Sequence, residues 1–310
     1  MAEVSAERSC RILCLDGGGA KGFYSLGVLK GIEGLLGGRL SQHFDLVFGT
    51  STGSIIAALL SLGHSVDEIH ALYRNDVVTV MGKLFPWTKS RALRELADRT
   101  FKDQTFESTQ TRIGIVSTNW RSETPMIFKS AVDQAHGDHR NFVPGFGATI
   151  SDAVQASCSA YPFFRRKKLK IPTGETYLLV DGGFCANNPT LYAIADATEA
   201  FKVDRKNIRV VSIGVGEYPP PKRYLTIGHW VGYLFTVRLL QRVLEINTKS
   251  MNQLRHVLFQ EVKTVRISKS YTEPAMATDL FEADLDKLDL LYQRGRESFR
   301  EYENALKELL

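Results

Sequence analysis

The sequence has no apolar run long enough to cross a bilayer, which takes about 18 residues. Its most hydrophobic later segment, residues 224–246, is interrupted by His229, Arg238, Arg242 and Glu245. Any membrane contact is therefore expected to be peripheral. Residues 1–11 are polar and lack the apolar stretch of a signal peptide. Cysteine is scarce. Cys10, Cys14, Cys158 and Cys185 show neither the paired spacing of a metal site nor the density of a secreted disulfide scaffold. Reduced thiols, a cytoplasmic setting and no bound metal are the expectation. Charge of one sign is also thin: the net +5 over 310 residues is too small for a nucleic-acid binder. It suits either plain solubility or a surface that meets anionic lipid. Repeats and low-complexity linkers are missing too, so nothing in composition cuts the chain into separate parts.

What is present is an ordinary globular balance, 44% hydrophobic and 24% charged, which allows a sizeable core without staples. Residues 11–15 read as a buried strand ended by Gly17, Gly18 and Gly19, and residues 20–36 carry helical spacing that Gly37 and Gly38 stop. Residues 44–48 form a second strand pattern, followed by a turn through 49–53 and a helix to Leu62. Ser65 with Glu68 three residues on is a capping box for the next helix. Further strands are predicted over 112–118, 125–130, 177–180 and 208–213, with helices over 149–159 and 189–201. This alternation predicts an α/β fold with a mostly parallel central sheet flanked by helices. After Pro219, Pro220 and Pro221 the pattern turns helical, apart from a strand candidate at 264–267. Leu288, Leu291, Gly295, Phe299, Tyr302, Leu306 and Leu309 mark one face of a terminal helix. A single domain over 1–310 is expected, with an α/β core at 11–215 and a helical layer at 222–310 docked on it.

Three segments carry chemistry. Gly49-Thr50-Ser51-Thr52-Gly53 is a Gly-x-Ser-x-Gly placed between a strand and a helix. That context presses a serine into a tight, exposed turn, and the following helix N-terminus favours negative charge beside it. Ser51 is the candidate nucleophile. A serine needs a base. His229 and His256 follow later in the chain, but both sit in helical, apolar-flanked stretches. Asp181 is better placed, ending a strand and opening Asp181-Gly182-Gly183 where parallel sheets gather their sites. The third segment is Asp16-Gly17-Gly18-Gly19-Ala20-Lys21-Gly22, whose successive N–H groups at a helix start could converge on an anion. In an acyl hydrolase that anion is the tetrahedral oxygen, making Gly17, Gly18 and Gly19 a candidate oxyanion hole.

The same loop fits a dinucleotide fingerprint literally, and a non-catalytic nucleotide-binding module is the rival reading. That reading wants an acid at the end of the second strand, where this chain has Gly49-Thr50-Ser51. A P-loop is excluded because Phe23 follows Gly22.

Together these segments resemble the patatin-like phospholipases: Asp16 to Gly22 is similar to that family's oxyanion loop, Gly49 to Gly53 to its nucleophile elbow, and Asp181-Gly182-Gly183 to its Asp-Gly-Gly signature running into Ala186-Asn187-Asn188-Pro189. Residues 156–164, Ala-Ser-rich and ending at Pro162 and Phe163-Phe164, are similar to a fourth family segment. The resemblance covers about residues 11–215 and implies a three-layer α/β/α fold. It also implies a Ser51–Asp181 dyad without histidine, a glycine-loop oxyanion hole and no cofactor. Lys21 stands where the family usually has arginine, so a forked contact there is not expected.

The resemblance further implies a phospholipid acyl ester as substrate and a membrane surface as partner, met at the inner face. Arg165-Arg166-Lys167-Lys168 with Lys170 follows Phe163-Phe164, and reads either as a patch for phosphate headgroups or as a solvated hairpin tip. Residues 229–259, rich in Trp230, Tyr233, Leu234, Phe235, Leu239, Leu240, Val243 and Leu244, read as core packing or as a lid. The compact layout also resembles bacterial antiphage effectors that a cyclic di- or trinucleotide switches on. Low basal activity and self-association into a homo-oligomer are the corresponding expectations.

Overall fold

Continuous apolar stretches that punctuating glycines and prolines cut to five or six residues build the centre of the molecule. The structure is a computed structural model that describes residues 9–136, 143–221 and 229–310, the side chains of 229–235 excepted. Eight strands are described: β1 (Cys10–Leu15), β2 (Leu46–Thr50), β3 (Arg112–Asn119), β4 (Thr124–Lys129), β5 (Lys167–Lys170), β6 (Thr176–Asp181), β7 (Ile208–Ile213) and β8 (Lys263–Ile267). They form one sheet in the order β5-β6-β3-β2-β1-β7-β8, with β4 paired to β3. The run β3-β2-β1-β7-β8 is parallel, whereas β4 and β6 pair antiparallel with β3 and β5 antiparallel with β6. The sheet is therefore mixed, with its parallel part central, as the strand–helix alternation predicted.

The helices are α1 (Gly22–Leu36), α2 (Thr52–Ser61), α3 (Val66–Leu72), α4 (Val78–Met81), α5 (Pro86–Phe101), α6 (Ile150–Ser157), α7 (Gly183–Ala186), α8 (Thr190–Ala195), α9 (His229–Leu258) and α10 (Leu285–Leu309). Because strand side chains alternate, Leu13, Leu15 and Val47 face one core while Ile12, Cys14, Leu46 and Phe48 face another. The first core is closed by α1, α2, α5, α6 and α10, the second by residues of α7 and α8 such as Ala186, Ala193 and Ile194. Burial of each such leucine or isoleucine side chain contributes about 1.5–3 kcal/mol. These are the three layers that the family resemblance implied.

Where α1 crosses α10, the two backbones touch through glycine: a Cβ on Gly27 would come within 2.0 Å of the Tyr292 carbonyl oxygen, and one on Gly295 within 2.1 Å of that of Tyr24. Strand β8 extends the sheet beyond β7, so residues after 222 add to both the sheet and the helical layer.

Several boundaries differ from the sequence reading. Strand β2 runs two residues later than expected, because Gly49 and Thr50 pair with Ile115 and Val116 of β3. The expected helix over 189–201 is regular only to Ala195, and continues as a wider π-type turn over Asp196–Ala200. Lys167 to Lys170, read earlier as a patch or hairpin tip, is edge strand β5, with Leu169 buried and Lys168 and Lys170 exposed. Lysine on an edge strand discourages pairing with a further chain.

Candidate active site

Sheet register brings the candidate dyad together. Thr50 pairs with Val116 on β3, and the next β3 residue, Ser117, pairs with Asp181 on β6. The end of β2 and the end of antiparallel β6 thus meet across one strand. Ser51 occupies the turn from β2 into α2 with φ 52° and ψ −125°, a left-handed conformation for a residue with a side chain. Such strain costs about 1–3 kcal/mol and is held by its surroundings. The capping box at Ser65 and Glu68 forms as expected at the start of α3.

Ser51 Oγ donates to Asp181 Oδ2 over 2.7 Å, and the other carboxylate oxygen accepts from Gly183 N–H at 2.7 Å. Asp181 is 3% exposed. Burial raises its pKa from the ordinary 3.8 to about 6, against the opposing pull of the bonds from Ser51 and Gly183. An aspartate so placed is a usable base near neutral pH, which an ordinary one is not. Among the described residues, no histidine lines the cavity around the dyad. His256 is exposed on α9, and the side chain of His229 lies outside the described residues.

The glycine loop lies beside the dyad, but its three members differ. Gly17 N–H donates to the Asn187 carbonyl at 3.1 Å and is therefore engaged. Gly18 and Gly19 line the cavity with Ser51, whereas Gly17 does not. Gly19 has φ +58°, and a Cβ there would lie 2.3 Å from the Leu280 carbonyl oxygen. Asp16, just before the loop, forms a buried forked ion pair with Arg266 of β8, one arm at 2.8 Å. Lys21 makes no forked contact, in keeping with its lysine chemistry. It is buried 3.9 Å from Glu245, and burial lowers its pKa against the pull of Glu245, Asp279 and Glu217.

Sequence reasoning missed the supports. Ser157 Oγ accepts the Ser51 N–H at 2.8 Å and donates to the Val116 carbonyl at 2.6 Å. Asn187 Nδ2 donates to the Gly17 carbonyl at 3.2 Å and to Thr248 of α9 at 2.8 Å, and Asn247 Oδ1 accepts the Asn187 N–H. No local pattern could have revealed these, since the partners are 41 to 170 residues apart.

The cavity at the dyad is apolar, walled by Ile55, Leu93, Leu96, Phe164, Leu244 and Phe281, and holds about 40 Å³. That is room for little more than one water. Leu244 places α9 in the wall. This helix divides: Leu240 and Leu244 are buried, while Leu239 and Val243 are exposed. The side chains of Trp230, Tyr233, Leu234 and Phe235 lie outside the described residues. Cys158 also lines the cavity, and burial pushes its thiol pKa far up, so it packs there as a neutral group. All four cysteines are free, no described helix is long and apolar enough to cross a membrane, and the described residues hold no metal cluster.

A family model described as "Patatin-like phospholipase" matches residues 13–194. A protein of Escherichia coli described as "cUMP-AMP-activated phospholipase" is 56% identical over 310 residues, covering 100% of this chain and 97% of that one. A "cGAMP-activated phospholipase" of Escherichia coli strain TW11681 is 28% identical over 283 residues, covering 83% of this chain and 77% of its own. Another "cGAMP-activated phospholipase", from Vibrio cholerae, is 25% identical over 332 residues, covering 93% of this chain and 89% of its own.

Proposed function

The chain belongs to the patatin-like phospholipases, serine hydrolases of lipid acyl esters, and from that footing we propose that it deacylates membrane glycerophospholipids with Ser51 as nucleophile and Asp181 as base, under the control of a cyclic dinucleotide. The observation that carries the reading is the 2.7 Å bond from the strained Ser51 to a buried carboxylate whose pKa sits near 6.

Ser51 Oγ attacks the ester carbonyl as its proton passes to Asp181 Oδ2. The N–H groups of Gly18 and Gly19 steady the tetrahedral oxyanion. Collapse expels the lysolipid alkoxide, which takes the proton from Asp181. A water then gives a proton to Asp181 Oδ2 as its oxygen attacks the acyl-serine carbonyl; collapse releases the fatty acid, and the proton on Asp181 returns to Ser51 Oγ.

Control by a nucleotide is supported from two sides. The relative with 56% identity over the whole chain is described as activated by cUMP-AMP. The cavity at the dyad holds only about 40 Å³, less than an acyl chain fills, which supports a resting form that opens when the ligand binds. Activity is then low at rest and rises when the ligand is bound, as the protein meets the inner face of the membrane from the cytoplasm.

The test is fatty-acid release from phospholipid vesicles by wild type, Ser51→Ala and Asp181→Asn, each alone and with cUMP-AMP or cGAMP. Release by wild type in cUMP-AMP, lost in both variants, supports the reading. Release that survives Ser51→Ala removes the dyad, and release indifferent to every nucleotide removes the switch.

A further inference from the structure

Next to the catalytic cavity lies a second depression, a groove of about 480 Å³ between the first half of α5 and the segment 159–168. Leu93 belongs to the walls of both, so the groove adjoins the cavity. Ser159, on its floor, accepts the Asp181 N–H through its carbonyl. The groove's charged lining is wholly basic: Arg91, Arg94, Arg165, Arg166, Lys167 and Lys168. Arg91 is paired with Glu95 and Lys167 with Asp152, which leaves the other four to set its sign.

Large apolar groups flank these cations and face outward. At the start of α5, Leu84 is 66% exposed, Phe85 52% and Trp87 50%, and the two rings stack with centroids 4.6 Å apart. On the other side Trp120 and Tyr161 are 39% and 38% exposed, with the Arg166 guanidinium 5.5 and 5.1 Å from their ring centres. Exposed apolar side chains clustered in this way mark an interaction surface. Aromatics beside arginine and lysine match the headgroup level of a bilayer, where an apolar ring and a cation are both satisfied. Neighbouring cations are attracted to an anionic leaflet.

We propose that this face, from Leu84, Phe85 and Trp87 across the basic groove to Trp120 and Tyr161, docks the protein on an anionic phospholipid bilayer and sets the cavity mouth against the lipid. The proposal rests on the phospholipid reading above for its purpose, but not for its test. A nucleotide or nucleic acid would use the cations but has no use for Leu84 and Phe85, which is why the bilayer is the favoured occupant.

Binding is measured without turnover, by flotation of Ser51→Ala protein with vesicles of phosphatidylcholine alone or with added phosphatidylglycerol, with and without cUMP-AMP. Two further variants are made in that background: Phe85→Ser with Trp87→Ser, and Arg94→Glu with Arg165→Glu. Each is also made with Ser51 intact, to follow hydrolysis of a soluble short-chain ester and vesicle phospholipid. The expected result is binding to anionic vesicles that weakens with salt and falls at least tenfold in both variants. Vesicle hydrolysis should fall with it while soluble-ester hydrolysis and melting temperature hold. Binding unchanged in both variants overturns the proposal, as does failure of the parent to float under any condition. Loss of the nucleotide response with vesicle binding intact also overturns it, assigning the cations to the nucleotide. If no ester of any kind is cleaved, the catalytic reading fails, while flotation still decides the docking face.

Discussion

Replacing Asp181 by asparagine removes a charge that the fold keeps from water, and so should stabilise the protein while abolishing its activity. Burial carries the carboxyl from 3.8 to about 6. At about 1.4 kcal/mol per pKa unit, that gap corresponds to about 3 kcal/mol. The folded state holds the proton more tightly than the unfolded chain. Stability from this source is therefore complete below about pH 3.8 and is lost as pH rises through about 6. Asparagine lacks this loss. Its Oδ1 can still accept from Gly183 N–H, and its Nδ2 can donate to Ser51 Oγ in place of the bond now running the other way. In a chain of this length 1 kcal/mol moves the melting temperature by roughly 2 °C. Asp181→Asn should therefore melt about 5 °C above wild type at pH 8, the gap narrowing to roughly 2 °C near pH 4.5. Scanning fluorimetry of both proteins across that range reads the difference directly. Parallel curves, or a variant less stable throughout, would show that Asp181 carries no desolvated charge, and the argument for it as a base would go with it.

Other outcomes follow from the same geometry. Because the base must be ionised, kcat/KM of the activated protein should climb about tenfold per pH unit on the acid side and level off above about pH 6. A plateau reaching pH 4.5 would exclude Asp181 from the role. Gly19→Ala puts a side chain on a left-handed residue and against the Leu280 carbonyl, and should cost more than about 2 kcal/mol along with most activity, read by denaturant melting and ester hydrolysis. Ser157→Ala leaves the Ser51 N–H without its acceptor and should lower stability by about 1–3 kcal/mol, with kcat falling more than KM changes. Arg266→Met strands the buried Asp16 carboxylate and should destabilise by about 3–5 kcal/mol in the same melts.

The parts of this molecule that were legible in its sequence are those in which cause and effect sit close together along the chain. A glycine after a strand, a serine in a turn and a capping box at Ser65 are settled by neighbours a few residues away. Strand β5 was not legible, because Lys167, Lys168 and Lys170 give an edge strand the composition of a solvated tip, and only pairing with β6 distinguishes them. The end of β2 was misplaced for a similar reason, since its last two pairs are decided by β3. At the site, Ser51 and Asp181 could be named from their turns. The engagement of Gly17 by Asn187, and the anchoring of Ser51 by Ser157, depend on contacts between distant segments that leave no periodic trace.

The crossing of α10 on α1 and the Asp16–Arg266 pair have a consequence in time. Helix α1 begins at Gly22, straight after the glycine loop, and its partner occupies Leu285–Leu309. As the chain is synthesised, Ser51 and Asp181 emerge well before Arg266 and α10, which hold the loop from either side. Ser51 and Asp181 thus exist for a while opposite a loop that Asn187 already touches but that Arg266 and α10 do not yet hold. Under the proposed mechanism, a growing polypeptide therefore holds the Ser51–Asp181 pair before its oxyanion loop is complete, and so before it can deacylate lipid.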